Sequence, residues 1–195
     1  MAYIDEAIIK LRTKEEQKNW MSTIDLTKEQ ILYGESYHFT QRLFFEDILE
    51  LLVPEAFFPM PEDIAAQKYL SAQRPQVILT NHGYTIDITL NLLEGTLKDE
   101  QVHLCLQKLQ NAIREAYPAT LFYDVEQMDL DGLTLAYMDF KSFSLAGPLY
   151  NVMFVTALDE QPLIGTLNCP FEQWEQWRPV AIEMLRTIRK VEEKP

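Results

Sequence analysis

The chain holds three histidines and two cysteines, so chemistry built on either type depends on a handful of positions. His82 lies in "RPQVILTNHGYTIDITL", residues 74–90, between two apolar runs. A general base there would need a substrate proton within reach and a partner that orients its ring. The surrounding residues instead predict a connection between strands, because Asn81 and Gly83 both tolerate the positive φ of a hairpin. We read His82 as a turn residue. His38 falls in an irregular lead-in and His103 on a polar helical face. No His-x-His or HExxH spacing links the three, and no histidine metal site is expected. Cys169 stands directly before Pro170, where a last helix would begin, and a helix N-terminus activates a thiol. Cysteine is also among the most buried residue types. That is the reading adopted for Cys169, and Cys105, on an apolar helical stripe, is core. The two form no CxxC pair and no zinc spacing.

The acidic run "YDVEQMDLDG", residues 123–132, invites a calcium reading. With Gly132 as the loop glycine, Asp129 and Asp131 match the third and fifth positions of an EF-hand. Gln127 and Met138 would then hold the first and twelfth, so the bidentate carboxylate is missing. Asp131–Gly132 reads as a hairpin turn, leaving Asp124, Glu126 and Asp129 at most as weak cation ligands. There is no GxGxxG, P-loop or GxSxG, and six glycines leave little material for a phosphate cradle. No cofactor is expected.

The elements that would position these residues follow from composition and periodicity. The 195 residues carry a net charge of −13 and are 47% hydrophobic, enough for one folded domain with a substantial core. From Glu115 to Trp177 there are ten acidic residues and one base, Lys141. Such a surface repels phosphates, and nucleic acid is excluded as a partner. The start, "MAYIDEAIIKLRTKEEQKNW", has no basic segment followed by an apolar stretch, and no run approaches the about 18 residues of a membrane span. A cytoplasmic protein with free thiols, away from membranes, is expected.

Ile4, Ile8 and Leu11 form a narrow helical stripe, and Thr27–Gln30 resembles a capping box with Gly34 as a stop. Residues 1–36 therefore read as a helical arm, and 37–195 as the domain. "FFEDILELLVP" is strand material ended by Pro54, and Pro61 can open a short helix in "PEDIAAQKYL". Tyr84, Ile86, Ile88 and Leu90 alternate with polar residues, as in a strand with one buried face. Val102, Cys105, Leu106, Leu109 and Ile113 mark a helix over 98–116. Four strand-like runs follow, separated by "DLDG", "LAGP" and "DEQP". Phe171, Trp174, Trp177, Ala181, Met184, Leu185 and Ile188 then mark a last helix over 170–190. The class is α+β, an antiparallel sheet flanked by helices.

This order of elements, from about Leu43 to Arg189, resembles the Mog/PsbP/DcrB fold family. The likeness rests on an early strand ending in "LLVPEAF", a hairpin, one long helix, a run of antiparallel strands and a C-terminal helix. "SAQRPQVILTN" and "LNCPFEQWEQWRPVAIEM" are similar to uncharacterised bacterial members. The resemblance implies a PsbP-like α/β/α sandwich and non-catalytic roles: a Ran-binding factor, a photosystem accessory subunit, a lipoprotein, or chaperone-like adaptors. Exported members carry a signal or lipid-anchor cysteine near the start, from which this sequence departs.

Three functions are carried forward. The preferred one is a cytoplasmic protein-binding module, an adaptor or chaperone-like protein. The others are a small-molecule binder with a pocket between sheet and helix, and an enzyme using Cys169 or His82. Contact with a protein partner, or with a second copy, is assigned to Ile4, Ile8 and Leu11 in the arm and to Tyr123, Tyr137 and Tyr150. Tyrosine combines apolar area with a polar tip, which suits an interface.

Overall fold

The computed structural model describes residues 24–71 and 74–191. A small hairpin comes first, Gln30–Leu32 (β1) paired with Glu35–Tyr37 (β2). It is joined by Tyr33 and Gly34, both at positive φ (51° and 82°). Positive φ at both central positions is the requirement of a two-residue turn whose twist matches the strands. The helix expected over 27–34 is thus a hairpin, and Gly34 turns it rather than ending a helix. Leu26 and Leu32 are buried in the main core, so this hairpin and its lead-in pack against it. Ile4, Ile8 and Leu11 lie outside the described residues.

Phe39–Phe44 (β3) and Leu49–Pro54 (β4) pair antiparallel, and a final two-residue strand, Arg189–Lys190 (β12), returns to the other side of β4. "FED" within this run is not strand: Phe45, Glu46 and Asp47 take φ of 54°, 57° and 69° and form the β3–β4 turn. The larger sheet has seven strands. They are Phe58–Pro59 (β5), Val77–Thr80 (β6), Asp87–Leu92 (β7), Leu121–Leu130 (β8), Leu133–Ser144 (β9), Gly147–Leu158 (β10) and Gln161–Pro170 (β11). Their order is β5-β6-β7-β11-β10-β9-β8 with every pairing antiparallel. The helices are Glu62–Lys68 (α1), Val102–Ala116 (α2) and Trp174–Arg186 (α3), the latter two entered through short 3-10 turns. This is the expected α+β class.

Register separates the two faces of the large sheet. Asp139, Val152, Leu167 and Ile88 lie opposite one another across four strands, as do Phe140, Asn151, Asn168 and Asp87 one residue on. Residues paired this way share a face. The first row faces a core completed by α3 and by Leu49, Leu51 and Val53 of β4. The second faces α2, whose Val102 and Leu106 are fully buried against Ala136, Met138 and Val155. Both faces are covered, which is why Ile86 to Leu90 are all buried where alternation predicted one dry side. Helix α3 contacts both sheets, and Trp177 to Ile182 are buried without interruption. Its burial is all-round instead of a stripe. At its centre the Phe154 ring lies over Gly165, where a methyl group would collide with it.

Candidate interaction surface and aromatic cleft

Several of the large apolar groups left in solvent lie at one end of the large sheet. Leu121 and Tyr123 are exposed at the start of β8, Phe143 and Leu145 at the β9–β10 turn, and Tyr117 at the end of α2. Strand β8 is the edge of the sheet, and its pairing with β9 is interrupted by a bulge between Phe122 and Val125. Trp174 lies near-parallel to two other rings, Tyr123 at 6.5 Å and 17° and Phe171 at 6.2 Å and 18°. The Lys141 ammonium sits 3.8 Å from the Phe171 ring centre and 5.4 Å from that of Phe143. Phe143 also borders a groove of 360 Å³ lined by Ile113, Tyr117, Phe140 and Met153. Aromatic rings offset at these distances attract one another and draw cations to their faces.

Of the tyrosines assigned to a partner, only Tyr123 reaches this surface, with 47% of its area exposed. Tyr137 and Tyr150 are buried, at 2% and 0%. Their hydroxyls donate to Glu126 Oε2 (2.8 Å) and Asp139 Oδ2 (2.7 Å). Both are core residues in this fold, because each inward-facing ring finds an acceptor for its polar tip. Asp139 also accepts from Arg178 Nε (2.7 Å) and, through Oδ1, from the Asp124 backbone N–H (2.7 Å). Arg178 Nη2 completes the cluster on Asp124 Oδ2 (2.7 Å). Hence two of the three carboxylates read as weak cation ligands are engaged by side chains, Asp124 by Arg178 and Glu126 by Tyr137. The third, Asp129, accepts the Gly132 N–H in the β8–β9 turn. No group of three or more His, Cys, Asp or Glu among the described residues is placed to hold a metal ion.

A second concavity, of 450 Å³, opens at His82. His82 is an exposed turn residue between β6 and β7, its ring 5.3 Å from that of Phe58. The left-handed residue of this turn is Tyr84 (φ 53°) rather than Asn81 or Gly83. Asn81 instead fixes the turn through its side chain, accepting from the N–H groups of Thr85 (2.9 Å) and Ile86 (3.1 Å). The floor of the cleft is Leu32, Tyr37, Phe57, Ile86 and Trp177. Tyr37 and Phe57 both lie within 6.5 Å of Trp177, ring centre to ring centre. Cys169 is fully buried in β11, and burial pushes its thiol well above the ordinary value, so it is held as a thiol. Cys105 is partly buried and also raised by burial.

Comparison with protein-family models and with curated protein sequences finds no match. Solved structures supply the likeness. The chain has a PsbP-like fold. It superposes on a PsbP protein (CyanoP) of the cyanobacterium Synechocystis with a TM-score of 0.59 at 11% identity, covering 78% of this chain and 92% of that one. A structure from Bacteroides thetaiotaomicron gives 0.52 at 8% identity, covering 78% of this chain and 48% of that longer one. At such identities the likeness is one of fold. No helix of the described residues is long and apolar enough to cross a membrane.

Proposed function

We propose that the protein is a non-catalytic, cytoplasmic adaptor or chaperone-like module that binds a basic protein partner at the aromatic end of its large sheet. The observation that carries this reading is the continuity of exposed Tyr123 and Phe143 with the Phe171–Trp174 rings, Tyr123 directly and Phe143 through Lys141. Scattered apolar residues are ordinary on a surface, whereas a contiguous patch rimmed by polar groups marks an interface. Charge selects the partner. The surrounding sequence carries ten acids and one base, and that base already rests on two of the rings. Pairing of β8 with its own copy would bring Asp124, Glu126 and Asp129 against the same residues, and like charges across a strand pair are destabilising. A different, cationic partner fits where a second copy does not.

The test compares affinity purification of the intact protein with that of a Tyr123→Ser, Phe143→Ser double variant, both checked by thermal melting. Both side chains are about half exposed, so melting should change little. Loss of a basic partner with melting unchanged supports the reading. Recovery of the same partners by the variant refutes it.

A further inference from the structure

The cleft at His82 is a separate concavity built from several connections, one of which, the 3-10 turn Phe171–Gln173, also carries Phe171 of the aromatic end. The β1–β2 hairpin gives Tyr33, Glu35 and Ser36, the segment after β4 gives Ala56, the β6–β7 turn gives Asn81, His82, Gly83 and Thr85, and the 3-10 turn before α3 gives Gln173. Its size is that of a small-molecule site, about 300–1,000 Å³. The walls are fixed before any ligand arrives. The Tyr33 N–H donates to Gln176 Oε1 (2.6 Å) and its hydroxyl to the Glu172 carbonyl (3.0 Å), tying the hairpin to α3. The Tyr37 hydroxyl donates to Glu35 Oε2 (2.6 Å), setting that carboxylate over the aromatic floor. The Asn81 bonds hold the opposite wall.

The charge around the opening has one sign. Glu35 is its only lining carboxylate, and no lysine or arginine lines it among the described residues. Glu29 lies alongside, accepting from Ser36 Oγ. Burial raises the Tyr33 phenol, and the charges of Glu175 and, less, Glu172 raise it further. Phosphates and carboxylates are repelled from such a mouth, and ammonium groups are drawn in. An acidic group above a floor of Tyr37, Phe57 and Trp177 pairs charge attraction with the faces and edges of aromatic rings.

We propose that this cleft binds a small organic cation, an amine carried on a flat apolar group. The ammonium meets the other carboxylate oxygen of Glu35, Oε1, while the apolar group lies on the aromatic floor, against Ile86. Nothing in this proposal depends on the protein-binding surface.

The experiment titrates the full chain with 2-phenylethylamine at low salt, following backbone amide shifts. The neutral 2-phenylethanol and the anionic 3-phenylpropionate are run in parallel. The amine should bind best and the anion worst, with shifts at residues 33–37 and 81–86. Glu35→Gln, whose amide oxygen still accepts from Tyr37, should weaken the amine roughly ten-fold or more and leave the alcohol unchanged. The Tyr123→Ser, Phe143→Ser variant should bind the amine like the intact protein, which separates this site from the other. Equal binding of the anion, an unaffected Glu35→Gln variant, or no shifts at the cleft with any of the three compounds would overturn the proposal.

Discussion

Two buried carboxylates on opposite faces of the same sheet are each held by a base, a tyrosine and a third donor. Asp139 in β9 is bound by Arg178, Tyr150 and the Asp124 N–H. Asp87 in β7 is bound by Lys68 Nζ (2.6 Å), the Tyr69 hydroxyl (2.8 Å) and Thr80 Oγ1 (2.8 Å). The parts match, but the bases differ. The Arg178 side chain is 8% exposed and divides its planar fork between two carboxylates, while that of Lys68 is 29% exposed and also donates to the Tyr84 carbonyl (2.7 Å). A guanidinium keeps its charge when buried and fixes direction, which an ammonium on a flexible stem does less well. One cluster therefore locks α3 in the interior. The other pins a short surface helix and the β6–β7 turn, one wall of the cleft.

Removing the base from each cluster measures that difference. Arg178→Met leaves Asp139 charged in a dry interior and should cost about 3–5 kcal/mol in urea unfolding. That is a large part of the stability of a domain this size, and poor soluble expression is expected. Lys68→Met leaves the buried Asp87 with Tyr69 and Thr80 and removes a base that was itself partly solvated, so the loss should be smaller, about 1–3 kcal/mol. Equal losses would break the comparison and show that exposure of the base does not matter here.

Neither cluster could be read in the sequence, for a reason of distance. Arg178 is 39 residues from Asp139 and 54 from Asp124, and it sits in a helix whose sequence signal is its apolar stripe, to which an arginine contributes nothing. The same gap explains Tyr137 and Tyr150, whose inward direction follows from acceptors that only the folded sheet brings near. Local patterns did better. The stripe of α2 is confirmed by burial of Val102 and Leu106, and Asp131–Gly132 and Asp159–Glu160 turn their hairpins at positive φ. The first hairpin was misread because Thr27, Gln30 and Gly34 satisfy helix punctuation and turn chemistry equally well. The buried Leu26 and Leu32 that decide between them act through the tertiary core. The cleft is assembled from connections that are distant in sequence, so no single window shows it; only His82 marked the place.

The smallest effect comes through the clusters' tyrosines and appears in alkali. Tyr150 and Tyr69 are both raised above the ordinary value of 10.0, first by burial and then by the charge of the carboxylate each is bonded to. Below that value the folded and unfolded chains both keep the phenolic proton, and the group has no influence on how stability changes with pH. Above it the unfolded chain releases the proton and the folded chain retains it. Stability is then lost by up to about 1.4 kcal/mol per pH unit for each such group. Cys169, raised by burial from 9.0, begins the same decline slightly earlier. Unfolding free energy should therefore be insensitive to these groups near neutrality and fall progressively above about pH 9. Tyr150→Phe and Tyr69→Phe should each lose some stability at neutral pH, because an acceptor loses its donor, and each should decline less steeply above about pH 10. Denaturant titrations at about pH 8 and about pH 10.5 separate the two effects. Both phenols keep their proton in the folded chain over this range, so the flattening should be equal. Tyr150 is fully buried and Tyr69 only partly, so the loss at neutral pH should be greater for Tyr150→Phe. An unchanged slope in either variant would mean that its phenol ionises inside the folded protein, and that the carboxylate beside it is less enclosed than its contacts indicate.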